Sequence, residues 1–156
     1  MPCAPPTSTQ AWPTVARITG EAALLESCET LWRNIVDRKL YITGGIGATH
    51  MGEAFSFDYD LPNDTAYSES CAAIALAFFA RRMLEIQPKS EYADVMESAL
   101  YNTTLAGMAL DGKSFFYVNP LEVVPEACHR DERSSTSSRS VRSGSAARVP
   151  AEHRPP

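Results

Sequence analysis

Cys71-Ala-Ala-Ile-Ala-Leu-Ala-Phe-Phe-Ala80 contains no polar side chain except its thiol, and Arg81-Arg82-Met83-Leu84-Glu85-Ile86 follows it directly. The stretch reads as a helix over about 67–86, with Cys71, Ile74, Ala75, Phe78, Phe79, Arg82 and Met83 along one broad stripe. Because it is apolar nearly all round, it belongs between neighbouring helices. On its N-terminal side, Leu24, Leu25, Cys28, Leu31, Trp32, Ile35 and Val36 recur at helical spacing, with Glu21, Glu26, Glu29, Arg33 and Asp37 between them. That pattern predicts an amphipathic helix over about 21–38. On its C-terminal side Ser90 can cap a third helix ending near Gly107, whose inner stripe is Tyr92, Val95, Met96, Ala99, Leu100 and Thr103.

The connections are unequal. Tyr41-Ile-Thr-Gly-Gly-Ile-Gly47 ends the first helix with glycines that permit positive φ or close backbone approach. Residues 48–64 carry His50, Glu53, Asp58, Asp60 and Asp64 among Phe55, Phe57 and Tyr59. A loop of that length inside a compact domain is usually functional or disordered, and its aromatic content predicts a packed, site-forming loop. Leu110-Asp-Gly-Lys113 is a turn signal, and Phe115-Phe-Tyr-Val118 reads as a short strand closed by Asn119-Pro120, giving one small β-hairpin. The fold class is all-α, with the site at the loop ends.

Of 156 residues, 44% are hydrophobic and 21% charged, the balance of an ordinary globular protein. The average conceals three segments. Residues 1–14 hold four prolines and one large apolar side chain besides Met1, and read as non-core. The tail, 133–156, is Ser/Arg/Pro-rich without Leu, Ile, Phe, Tyr or Trp, a composition that predicts disorder. Up to Glu132 nine Lys and Arg stand against eighteen Asp and Glu, so the body 15–132 is acidic and the tail basic. An acidic body argues against a nucleic-acid partner. No run approaches the length of a membrane span, and Met1–Gln10 lacks the pattern of a secretory signal, so a cytoplasmic protein is expected. Cys3, Cys28, Cys71 and Cys128 form no Cys-x-x-Cys pair and predict no disulfide framework.

Few residues can carry chemistry. Glu69 and Cys71 lie two apart, so both reach one ion only if the helix has not begun at Glu69. Thiolate and carboxylate suit zinc, which needs two further ligands; the other reading of Cys71 is a small core residue. Glu53 is a possible general acid if desolvated, or a solvated loop glutamate. His50 is a third candidate, or a plain loop histidine. Tyr117 can present its hydroxyl to a ligand or pack its ring. Asp58 and Asp60 are expected to cap or pair locally.

The succession Tyr41-Ile-Thr-Gly-Gly-Ile-Gly47, Gly52-Glu-Ala-Phe55, Tyr59-Asp-Leu-Pro-Asn-Asp64, Glu69-Ser-Cys-Ala72, Tyr92-Ala-Asp-Val-Met-Glu97, Ala99-Leu-Tyr-Asn102 and Phe116-Tyr-Val-Asn-Pro-Leu121 resembles the bacterial β-L-arabinofuranosidases of glycoside hydrolase family 127. The resemblance covers about Val15 to Glu132. It implies a fragment of an (α/α)₆ barrel and retaining hydrolysis of terminal β-L-arabinofuranosides by a zinc-bound cysteine thiolate. It further implies Glu53 as general acid/base, Glu69 and Cys71 as two of four Zn²⁺ ligands, Tyr117 as a sugar-contacting residue, and an arabinofuranoside-containing carbohydrate as partner. The oligomeric state stays open.

The family pattern continues to a Cys-Cys-Pro-Pro-Asn motif that supplies the nucleophile and the last two ligands. This sequence contains no such motif, so the fragment is expected to be inactive alone. Codons for Ser134–Val149 read two bases later can spell a family-like segment ending Trp-Phe-Gly-Cys-Ala-Cys, and one base placed before Met1–Thr14 turns that segment into an apolar helix. Both ends are therefore read as translated out of frame. Two competitors remain: another (α/α)-barrel sugar enzyme, such as an epimerase or unsaturated-glycan hydrolase, and a non-catalytic helical binding module.

Overall fold

The structure, a computed structural model, describes residues 11–123; the N-terminal ten residues, Cys128 and the basic tail lie outside the described residues. Four α-helices follow in order: α1 (Ala11–Thr19), α2 (Ala22–Arg38), α3 (Ser70–Ile86) and α4 (Ser90–Ser98), the last running directly into a π-helical turn, Ala99–Leu105. α3 packs against α4 and the π turn, and α1 lies against both α2 and α3.

α1 begins inside the segment that composition set apart. Pro13 is buried in its first turn, where a missing N–H costs nothing because the first N–H groups of a helix have no internal partner. Gly20, at φ +70°, ends the helix and donates its N–H to the Ala16 carbonyl at 2.9 Å, as a left-handed C-terminal glycine does.

The core is centred on Trp32 of α2. Its ring meets Phe79 of α3 edge-on at 5.7 Å and Tyr92 of α4 at 4.8 Å, the geometry aromatic quadrupoles favour. Cys28, Ile35, Ile46, Leu76 and Met83 close around them. On α3 Ala73, Ala75, Leu76, Ala77, Phe79, Ala80 and Met83 are buried, whereas Cys71, Phe78 and Arg82 are exposed. Ala75, Phe79 and Met83 of the expected stripe are thus buried while Cys71, Phe78 and Arg82 are not, because a helix apolar on all sides offers periodicity no contrast from which to choose a face.

The third helix is α-helical only to Ser98. The change to π geometry coincides with the seat of the glycine turn. A Cβ at Gly44, itself at φ +80°, would lie 2.6 Å from the Ala99 nitrogen, so only glycine lets this backbone approach. Thr103 donates its hydroxyl to the Thr43 carbonyl at 2.7 Å, and the Ala106 N–H reaches back five residues to Tyr101 at 3.2 Å. The wider turn keeps Ala99 and Thr103 on one buried side.

The hairpin is reduced to its closing contacts. Met108 and Phe115 form an isolated antiparallel bridge, with the Phe116 N–H on the Gly107 carbonyl at 2.8 Å. Val118 pairs instead with Glu69, and among the described residues there is no sheet. Four consecutive β-formers cannot make a strand without a partner edge.

Candidate functional site

α3 starts at Ser70, three residues later than its sequence suggests, and Glu69 is extended at φ −66°, ψ 143°. This is the backbone that lets side chains two apart converge. The Cys71 thiol donates to Glu69 Oε2 at 2.8 Å. Cys71 is exposed and Glu69 is buried, so the core-residue reading of Cys71 is set aside.

Tyr117 joins them through backbone pairing. The Ser70 N–H bonds the Tyr117 carbonyl at 2.9 Å, and the Ser70 hydroxyl bonds the Phe116 carbonyl at 2.7 Å. Asn119 spans both strands of this crossing, its amide donating to Ser68 O at 3.1 Å and Ser70 Oγ at 3.2 Å. Held this way, the Tyr117 hydroxyl stands 3.2 Å from Cys71 Sγ.

Glu53 approaches from the long loop. Thr49 and Ala54 bridge across a tight turn in which Glu53 is exposed at φ +48°, backbone that a residue with a Cβ seldom adopts. Its charge helps to raise both the Cys71 thiol and the Tyr67 phenol. The loop is pinned to the end of α2 by Asp58, which accepts from Arg38 Nη1 at 2.6 Å and Lys39 Nζ at 2.8 Å. Asp58 therefore pairs across the fold and not locally. Hydrogen bonds from Lys39 and then Arg38 hold its carboxyl below the usual range.

Partial desolvation first, and then Glu69 as acceptor, push the Cys71 thiol up; the Tyr117 hydroxyl opposes this. Tyr67 rises to about 12, again mainly by burial. It is the residue that sequence reasoning missed: its ring lies 6.5 Å from that of His50, and the charges of Glu69 and Glu53 both act on its hydroxyl. The aromatic two residues before a Glu-Ser-Cys run was the available signal. His50 thus flanks the group, while Asp60 and Asp64 make no side-chain contact that brings them into it.

The donor set fits half of a zinc shell. Cys71 and Glu69 converge, and Glu69 Oε1 is buried without a hydrogen-bond partner, which a cation would satisfy. Among the described residues no third His, Cys, Asp or Glu joins them.

The sequence profile of the GH127 β-L-arabinofuranosidase catalytic domain matches residues 8–153. The chain belongs to the GH127 family. A non-reducing end β-L-arabinofuranosidase of Bifidobacterium longum subsp. longum is 50% identical over 119 residues, covering 76% of this chain and 18% of the relative. The crystal structure of a GH127 β-L-arabinofuranosidase from Geobacillus stearothermophilus T6 superposes with a TM-score of 0.79 at 55% identity, covering 82% of this chain and 20% of that one. A second GH127 β-arabinofuranosidase structure gives 0.71 at 46% identity, covering 73% and 18%. This GH127 chain spans about a fifth of the length of the relatives it matches.

Proposed function

We propose that the described helices are a segment of an (α/α)₆ barrel that carries the acid/base side of a retaining β-L-arabinofuranosidase site. The observation supporting this most directly is the 2.8 Å convergence of Cys71 on Glu69, with Tyr117 at 3.2 Å. Glu53 is the general acid that protonates the departing glycosidic oxygen and then, as base, takes a proton from the attacking water. Tyr117 directs its hydroxyl toward the sugar, and Tyr67 with His50 lines the same side of the site. Cys71 and Glu69 are two of four ligands to Zn²⁺, which when bound supplies the positive charge that keeps a ligating thiol ionised. The nucleophile and the remaining ligands come from sequence outside these 156 residues, so the chain alone is inactive. Its partner is an arabinofuranoside-containing carbohydrate. The out-of-frame origin of both ends is a separate proposal, tested by the nucleotide sequence of the gene and its flanks.

Zinc titration followed by calorimetry tests the site. Cys71→Ala and Glu69→Gln are each expected to weaken binding at least about tenfold, which corresponds to about 1.4 kcal/mol. Cys28→Ser is expected to leave binding unchanged, since Cys28 is buried in the core. Equal affinity in Cys71→Ala, or turnover of an aryl β-L-arabinofuranoside by the chain alone, overturns the proposal.

A further inference from the structure

α1 is packed inside out. Its small residue Ala16 faces the core, while Val15 and Ile18 are 44% and 72% exposed. A helix of a self-contained domain turns its large apolar side chains inward. The π turn repeats the pattern: Tyr101 and Leu105, four residues apart, are 60% and 49% exposed. Large apolar surface of this kind on a chain with a well-formed core marks a surface built to be covered.

The relatives indicate what covers it. They share this backbone at TM-scores of 0.71 and 0.79, and in them the matched stretch is only about a fifth of the chain. We infer that the outer side of α1 and the side of the π turn bearing Tyr101 and Leu105 are docking surfaces for the portion of a GH127 catalytic domain that lies outside this segment. The inference rests on the barrel-segment reading above, and docking can be measured separately from turnover. α1 and the π turn both pack on α3, the helix that carries Cys71.

The test is co-expression of the full 156-residue chain with the Bifidobacterium longum relative from which the shared 119 residues have been removed. The expected result is a one-to-one complex and a severalfold rise in the soluble fraction of the truncated relative. The double variant Ile18→Glu/Leu105→Glu should lower the yield of complex at least tenfold and abolish the rise in solubility. Its own helical circular dichroism should not change, because both side chains are already exposed in this chain. Three results overturn the inference: no complex and no gain in solubility, a complex indifferent to the two charges, or a dimer of this chain dispersed by the same charges, which would make a second copy the cover. A complex that forms without hydrolysing an aryl β-L-arabinofuranoside leaves docking intact and counts against the catalytic reading alone.

Discussion

The Trp32 core and the Cys71 corner adjoin along α3 but are built on opposite terms. In the core, Trp32, Phe79, Tyr92, Leu76 and Met83 lie on regular helices and gain from burial that has no direction. In the corner almost every position depends on a directed backbone bond or a constrained dihedral. Among the described residues the three non-glycine positions with positive φ, Glu53, Tyr59 and Ser68, fall in the loop that leads to it. Two of its buried oxygens, Glu69 Oε1 and Ser68 Oγ, have no partner. Strain and unsatisfied polar atoms persist where surrounding structure holds them and where a function uses them. The helices provide the stability which the corner draws on.

Removing the hub of the core should have the largest effect. Trp32→Ala is expected to cost about 3–5 kcal/mol, enough to unfold a fragment of this size, as a lost urea transition would show. A folded Trp32→Ala protein with intact cooperativity would mean that the core does not carry the stability assigned to it.

Gly44→Ala strikes where the two regions are joined. The new methyl would meet the Ala99 backbone at 2.6 Å from a left-handed φ, with an expected cost of about 1–3 kcal/mol. Thermal unfolding measures it, and an unchanged midpoint would show that the glycine turn is not seated on the π turn as described.

The smallest effect is expected at the loop clamp. Asp58 is held below its ordinary pKa of 3.8 by Lys39 and Arg38, so its folded value lies under its unfolded one. The resulting stabilisation is full above the ordinary value and disappears as pH falls through the depressed folded value. Asp58→Asn should therefore lower the melting temperature slightly near neutrality and make it less sensitive to acid between about pH 5 and 2. A variant whose melting temperature follows the parent's acid profile would dismiss the clamp.

Much of this was legible in the chain. α2 is bounded by its periodicity to within a residue, and Cys28, Trp32 and Ile35 are buried as their spacing requires. The Glu69-x-Cys71 pair carried its own structural condition, an extended Glu69, and the fold meets it. Other features were not legible. α1 was obscured because proline content looks the same in a coil and in the first turn of a helix. The buried face of α3 could not be chosen without knowing its neighbours. Phe115–Val118 has the propensity of a strand, but a strand also needs an edge to pair with.

By itself, the order of residues determined where helices run, where glycine breaks them, and which acidic, thiol and phenolic groups were available, because these follow from local periodicity and from the chemistry of single side chains. Only the tertiary structure decided that Tyr117, forty-six residues from Cys71, comes within 3.2 Å of its sulfur. Only it showed α1 with its large side chains outward. Both depend on which surfaces meet across long stretches of chain, and such meetings depend on every packed element together, with no short segment encoding them.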